Sequence, residues 1–528
     1  MLRENYPKPN YVRPRWKSLD GEWTYYFCVR GTENPSHLCN RSVPDSIIST
    51  DSIEYAVYKK TFVLTEADSA GAVFLNISSI IGDCEVFIND KSTGKRKGAP
   101  GNLTFDVTNY ILPQKNSVSI VVISDPLFSE GSYGGPLLTG RIWLEFSAKS
   151  YISQLIVRPS IRDKSIYLSG RIANSLPDLQ ICAEVSLNSK SIVNFIYDAK
   201  PSLNIQIPLS EQIQYWECLA SNLYEIKITL TNSLGGQCDC IHTYTAFRNI
   251  ELKNNLIFLN DKVVFLKLVR DNDCICTGLY NTQKIRQVIA SILSLGFNGI
   301  NLGCCEPTPQ FIYLADKIGL ALLFTLVPNG LLPYTEDHSK LIQSLITSKL
   351  IRYIASPSIF LWNLFSNYDP GIDYINHLIL MAKKLNPFAI LSSYSDRSVG
   401  YGDYSSSNFY CSEKSLFIRS LKSQSDANFP SLINFSSGSF KGAYSPPEIS
   451  LDSTEKDFTE LYTFMTGAIL ASNFLGFSYD FLIDSSVDFG GLYLNKLETK
   501  LSRNSSFDIK KANNRRSIGE LNSIITTK

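Results

Sequence analysis

A chain of 528 residues with 50 Lys and Arg against 49 Asp and Glu is too long for one ordinary domain. It is also too evenly charged to offer nucleic acid or an anionic membrane a basic field. Hydrophobic residues make up 44% and aromatic residues 12%, which excludes a disordered chain and implies buried cores.

From about residue 17 to 148, short β-rich runs at 22–27, 56–64, 72–77, 85–88 and 118–123 are broken by turn residues with no helical period between them. That pattern predicts a β-sandwich or jelly roll. Asn89-Asp90 is a turn dipeptide between two strands, and Leu19-Asp20-Gly21 turns the chain into the first. Trp23, flanked by strand-forming aromatics, is expected in the sandwich interior rather than exposed as a stacking platform for a ligand. Residues 150 to about 248 alternate apolar and polar again, at 153–157, 181–187, 203–207 and 223–230, the length of an immunoglobulin-like sandwich.

Beyond Phe247 the pattern changes to strand-like apolar runs alternating with amphipathic helices. Ile285, Val288, Ile289, Ile292 and Leu295 line one helical face, closed by Gly296. Ile375, Leu378, Ile379, Ala382 and Leu385 line another, ended before Pro387. The remaining ~280 residues suit one (β/α)₈ barrel, with a closing helix expected after Arg503. The expected fold class is therefore multidomain β plus α/β: a jelly-roll sandwich (1–149), an immunoglobulin-like sandwich (150–248) and a C-terminal TIM barrel (249–528).

The 12 cysteines include close pairs at 238 and 240, 274 and 276, and 304 and 305, but no repeated pair of zinc-finger spacing. With His37, His242, His338 and His377 scattered, buried free thiols are expected, and neither a metal nor a cofactor. No apolar run approaches the ~20 residues of a membrane span. The first residues, MLRENYPKPNYVRPRW, lack the apolar core of a secretory signal, so the expected location is cytoplasmic.

One run carries the chemistry. Residues 359–365 form an apolar stretch after Pro357-Ser358 that stops abruptly in Ser366, Asn367, Tyr368 and Asp369, as a buried parallel strand does where it leaves a sheet. In a closed α/β barrel that exit is where catalytic groups are placed.

This stretch resembles the acid/base strand of glycoside hydrolase family 2, the β-galactosidases and β-glucuronidases, which reads roughly R-x-x-N-H-P-S-I-x-x-W-x-x-x-N-E. Pro357, Ser358, Ile359 and Trp362 fit, while Ser366 stands at the Asn and Asn367 at the proton-donating Glu. The resemblance extends along the chain: Leu19 to Trp23, Tyr55 to Tyr58, Val86 to Asp90, Phe105 to Thr108, Gly140 to Trp143, Phe258 to Lys267, Leu295 to Ile300, FIYLADKIGL from Phe311, and Gly476 to Tyr479 with Gly491-Leu492. The nucleophile strand, P-[VI]-x-x-[ST]-E-[FY]-G, has its counterpart at 430–438. There the Glu position holds Phe435 ungapped or Asn434 when shifted by one. Residues 427–447 contain no Asp or Glu, so the absence is independent of register. The family's Arg and His after the second barrel strand correspond to Asn301 and Gly303, and its His-aromatic pair to Asn408-Phe409-Tyr410.

What the resemblance implies is a glycosidase barrel without its acid/base and nucleophile, with no catalytic residue of its own. Its sugar-sized cavity would be lined by Trp362, Phe365, Tyr368, Tyr404 and Tyr410, and substrate-binding candidates are Asp271, Asn301, Trp362, Tyr368, Asp369, Asp403 and Tyr410. Its partner would be a carbohydrate or a protein, with oligomerisation left open. The alternative is an active β-glycosidase whose carboxylates have moved, drawn from Asp369, Asp403, Asp480, Asp484 and Asp488. Asp271-Asn272-Asp273 reads as a turn or as a ligand for a cation or a sugar hydroxyl.

Overall fold

The computed structural model describes residues 2–29, 36–43, 53–96, 103–124, 137–209, 212–271, 281–303, 306–327, 335–365, 370–393, 402–410, 413–426, 429–441, 454–484, 489–494, 497–518 and 520. Two compact units divide the chain. One holds 1–214, 223–246 and 330–349, and the other 215–222, 247–329 and 350–528.

In the first unit, period-two patterning is converted directly into sheets. A six-stranded and a four-stranded sheet enclose Trp23, Tyr25, Tyr58, Val86, Ile120 and Leu144. Asp83–Ile88 shows the device: Cys84, Val86 and Ile88 are buried while Asp83, Glu85 and Phe87 alternate outward. Asn89 and Asp90 both have positive φ, 49° and 62°, the tight-turn conformation that lets the chain double back into Lys91–Arg96. Trp23 is 1% exposed and its indole N–H donates to the Leu19 carbonyl at 2.9 Å, so it is a core residue. A second sandwich follows, made of a three-stranded and a four-stranded antiparallel sheet.

A buried ion network ties the first residues to both sandwiches. Arg13 donates to Glu145 Oε2 at 2.8 Å and through Nε and Nη2 to both oxygens of Asp239 at 3.0 Å. Nη2 also donates to the Ile152 carbonyl at 2.7 Å and to the Tyr11 hydroxyl at 3.2 Å. Glu145, on Ile142–Ser147, also accepts from Trp143 Nε1 at 2.8 Å and from the Tyr6 hydroxyl. Asp239 lies on Gln237–Thr245 and accepts the Ile152 N–H at 3.0 Å. One guanidinium serves two carboxylates, and neutral donors from Tyr6, Trp143 and Ile152 supply the carboxylates with further hydrogen bonds, the kind of pairing and satisfaction under which a buried ion cluster is tolerated.

Close by, the Val12 N–H donates to the His242 carbonyl at 2.9 Å. Burial pulls the His242 imidazole below its ordinary 6.5, and the neighbouring cations Arg3 and Lys227 add to this. Above that value the ring is neutral in both folded and unfolded chains. Below it the unfolded chain takes a proton that the folded chain resists, so stability falls as the pH drops through 6.5. Thermal denaturation between pH 7.5 and 5.5 is expected to show a shallower decline for His242→Gln than for wild type; equal slopes would exclude this origin.

The second unit contains eight parallel strands. In chain order these are β1 (Leu266–Arg270), β2 (Gly299–Asn301), β3 (Ala321–Thr325), β4 (Ile359–Asn363), β5 (Ile390–Ser392), β6 (Ser405–Tyr410), β7 (Ser431–Ser436) and β8 (Gly476–Tyr479). Along the chain, helices α1 (Thr282–Ser294), α2 (Pro309–Ile318), α3 (Glu336–Arg352), α4 (Ile372–Leu385), α5 (Lys414–Asp426), α6 (Glu455–Leu470) and α7 (Arg503–Asn513) intervene or follow, α3 belonging to the first unit up to Lys349. The helix signals read from sequence have identifiable chemistry. Asn281 caps α1 by accepting from the Gln283 and Lys284 N–H groups, and Ile285, Val288, Ile289 and Ile292 are its buried stripe. Thr308 and Pro309 open α2, and Gly319, at φ +90°, closes it in a conformation an L-residue resists.

The sheet order runs β5-β4-β3-β2-β1-β8-β7-β6, a barrel with its seam between β5 and β6. The seam is stitched by Asp403, whose N–H donates to the Leu391 carbonyl at 2.7 Å and whose carboxylate accepts the Leu391 N–H at 2.8 Å. The architecture is multidomain β plus a TIM barrel.

The cysteines described by the structure, 28, 84, 182, 218, 238 and 240, are free thiols. Burial pushes Cys84 up to about 11 and Cys218 up to about 12, as expected of inert core thiols. The pairs at 274 and 276 and at 304 and 305 lie outside the described residues. No described helix is long and apolar enough to cross a membrane.

Candidate functional site

Strands buried on both faces give no outward sign of which side chains face the interior, so orientation has to come from register. Partners in a parallel ladder share a face. Phe435 is the register partner of Tyr479, and its ring lies 5.7 Å from Tyr462 on α6 and 6.5 Å from Phe417 on α5. That is the helix side. Asn434, one residue earlier, is consequently on the inner face with its register partners Asn408 and Ser478. Its amide donates to Ser406 Oγ at 3.0 Å and Asn408 Oδ1 at 2.8 Å.

The same reasoning orders β3 and β4. Trp362 pairs in register with Phe324, with ring centroids 5.7 Å apart, and Phe324 in turn lies 5.6 Å from Tyr353. Trp362, 3% exposed, therefore belongs to the helix-side layer, and Thr325 and Asn363 point inward. Across β5, the Tyr404 hydroxyl donates to Asn363 Oδ1 at 2.6 Å. Burial raises the Tyr404 phenol well above its ordinary value, with the charge of Asp403 adding to it, so it is a neutral donor. On the opposite wall, Asn301 reaches over β1 to Ser478 Oγ at 3.1 Å, and its Oδ1 accepts the Gly303 N–H at 3.0 Å. Arg270, the register partner of Asn301, lies 3.9 Å from Asp480. Gly303 has φ +55°, and a Cβ there would stand 3.4 Å from Arg270 Nε, an ordinary contact, so the left-handed backbone rather than lack of space favours glycine here.

No protein-family model matches the chain. Among curated proteins it is 24% identical over 328 residues to a putative β-glucuronidase of Formosa agariphila, covering 58% of this chain and 39% of that one. It is 21% identical over 343 residues to a β-galactosidase of Bacteroides ovatus, covering 60% and 38%. The match thus spans about two-fifths of those relatives' own length. Among solved structures, a Lactobacillus rhamnosus β-glucuronidase superposes with a TM-score of 0.76 at 15% identity, over 96% of this chain and 98% of that one. A family 2 β-galacturonidase of Eisenbergiella tayi gives 0.75 at 17% identity, over 97% and 99%.

The chain is glycoside hydrolase family 2-like.

In this family 2-like barrel the carboxylates of Asp403 and Asp484 are engaged by hydrogen-bonding partners. Asp403 pairs with Lys383 at 2.7 Å as well as holding the seam. Asp484 accepts from the fully buried Lys500 at 2.8 Å and from the Gly491 N–H at 2.9 Å. Asp480 is 3% exposed beside Arg270. Asp271 is 2% exposed and its N–H donates to the Asn301 carbonyl at 2.9 Å. Phe365 is buried, and Tyr410, last in β6, is 59% exposed. Asn367, Tyr368, Asp369, Asp273 and Asp488 lie outside the described residues. No described group of three His, Cys, Asp or Glu side chains is placed to hold a metal.

Sequence reasoning missed Thr325, Asn363 and Arg270 as inner-face groups because their runs read as uniformly buried. It missed Lys500 because that residue sits in a polar segment. The seam role of Asp403 carries a test: Asp403→Ala is expected to cost about 1.5–3 kcal/mol, the worth of a hydrogen bond to a charged group plus an orphaned backbone N–H. A chemical denaturation series with a loss under about 0.5 kcal/mol would mean that the seam closes without it.

Proposed function

We propose that this protein is a family 2-like glycosidase barrel that has lost hydrolytic activity and works as a carbohydrate-binding protein. The observation that carries the reading is Asn434. It lies on the inner face of β7, in the stretch where the family resemblance calls for the nucleophilic Glu, and its amide is committed to Ser406 and Asn408. A retaining glycosidase needs two carboxyl groups about 5–5.5 Å apart, one to attack the anomeric carbon and one to protonate the leaving oxygen. An amide supplies neither negative charge nor an acidic proton. At the other position the sequence holds Asn367, again an amide. Of the acids that could have moved in, Asp403 is committed to the seam and to Lys383, and Asp484 to Lys500 and Gly491.

The rival reading, a glycosidase with relocated carboxylates, draws on Asp480, which is buried on the inner side of the strand ends. It needs a second acid across the mouth from it. Incubation with nitrophenyl β-galactoside, β-glucuronide, β-mannoside and β-glucoside separates the two. The proposal expects release at the blank rate with each. Turnover that disappears in Asp480→Asn would establish the rival.

A further inference from the structure

We infer that Arg270 anchors an acidic sugar at the barrel mouth, its guanidinium taking the carboxylate or sulfate ester of the ligand; this rests on the reading of the barrel as a carbohydrate-binding protein. Arg270 is the last residue of β1. It follows Leu268 by two positions, Leu268 pairs in register with Ser478, and Ser478 with the inner-face Asn434. Alternation therefore sets Arg270 on the inner face at the carboxyl end of the strands, the end at which such barrels bind their ligands. The family resemblance expects an arginine one strand away, at the position of Asn301, the register partner of Arg270.

What separates Arg270 from its neighbours is accessible surface combined with unspent donors. Asn301 and Asn434 are 6% and 2% exposed, and their amides are spent on Ser478, Ser406 and Asn408. The Arg270 side chain is 24% exposed, and its one ion pair among the described residues, Nη1 to Asp480, spans 3.9 Å, too far for a hydrogen bond. None of its guanidinium N–H groups donates to a described residue. A guanidinium has donors and no acceptor, so its complement is an acceptor, and an oxyanion is the acceptor that gains most from it. Asp480 weakens this attraction without cancelling it. An oxyanion hydrogen-bonded at about 2.8 Å lies nearer the guanidinium than Asp480 does, and it approaches from the exposed side of a group whose partner is buried.

The test is ligand-observed NMR titration of the purified chain with methyl β-glucuronide, methyl β-galacturonide and methyl β-galactoside 6-sulfate, against neutral methyl β-glucoside and methyl β-galactoside. At least one acidic glycoside is expected to bind saturably, about tenfold tighter than its neutral counterpart, and more weakly as salt is raised. Arg270→Lys should weaken that binding about five- to tenfold, since a point charge replaces the planar donor array. Asp480→Asn, which removes the competing anion, should tighten it, a direction that a merely structural pair does not produce. Arg270→Gln with Asp480→Asn leaves no buried charge unpaired, so it should fold and bind acidic and neutral glycosides alike. Neutral binding as tight as acidic, or a charge preference that survives in the double variant, would overturn the inference alone. Acetate or inorganic sulfate binding as tightly as the acidic glycosides would overturn the assignment to a sugar. No binding of any glycoside below about 10 mM would take down the carbohydrate-binding reading with it. Were the chain to hydrolyse glycosides after all, the non-hydrolytic reading would fall, and the charge preference would still be read from KM for acidic against neutral nitrophenyl substrates.

Discussion

Arg13→Ala is expected to destabilise the first unit by about 3–5 kcal/mol, because it strands two buried carboxylates rather than deleting one favourable contact. In the wild type, Glu145 and Asp239, 4% and 2% exposed in their side chains, each lie against the same guanidinium, which also ties Ile152 into the cluster. Without it, two anions face each other in a core that cannot hydrate them, and the cheapest escape is to open the junction. Arg13→Lys should recover little, since an ammonium cannot serve Asp239 through two nitrogens while also reaching Glu145. Urea denaturation followed by tryptophan fluorescence measures this: Trp143 donates to Glu145 at 2.8 Å and reports on the cluster. A loss below about 1 kcal/mol would show that the network contributes little beyond what solvent would supply.

The second large effect concerns catalysis. Neither Asn367→Glu nor Asn434→Glu alone is expected to lift hydrolysis of nitrophenyl β-glycosides above the blank, because one carboxyl cannot both attack and protonate. The double variant returns both groups and is expected to give detectable turnover with a rate that rises and then falls with pH, the signature of one ionised and one protonated carboxyl. The gain should be partial, since a reacting group displaced by about 1 Å forfeits on the order of a hundredfold. Turnover in a single variant equal to that of the double would place a competent partner acid already in the wild-type mouth.

How far the sequence foretold this molecule depended on whether a pattern was local. Alternation at 85–88 announced a half-buried strand, and Asn89-Asp90 announced its turn. The apolar stripe from Ile285 to Ile292 announced α1, and the polar segment after Arg503 did become the last helix. Inner and outer faces of the barrel strands were not legible. When both faces are buried, Trp362 and Asn363, or Asn434 and Phe435, differ only in which neighbours they meet, and those neighbours come from helices and strands elsewhere in the chain. Long-range charge pairing was equally hidden: Arg13 finds Asp239 at a separation of 226 residues, and nothing local to either marks the bond. Asp403 was read as a loop acid at the mouth, which its position along the chain allowed, but its carboxylate turns to Leu391 and Lys383. The choice between Phe435 and Asn434 needed coordinates for the same reason.

The central claim, that the barrel has no nucleophilic carboxylate in reach of an anomeric carbon, is tested most directly by covalent trapping. A strained cyclitol aziridine, which opens only on an activated nucleophile in a glycosidase site, would be incubated with the protein in galacto-, gluco- and glucuronate-configured forms, and the intact mass recorded. The account predicts an unchanged mass with all three. A stoichiometric adduct mapped by peptide sequencing to an Asp or Glu of the barrel would contradict it.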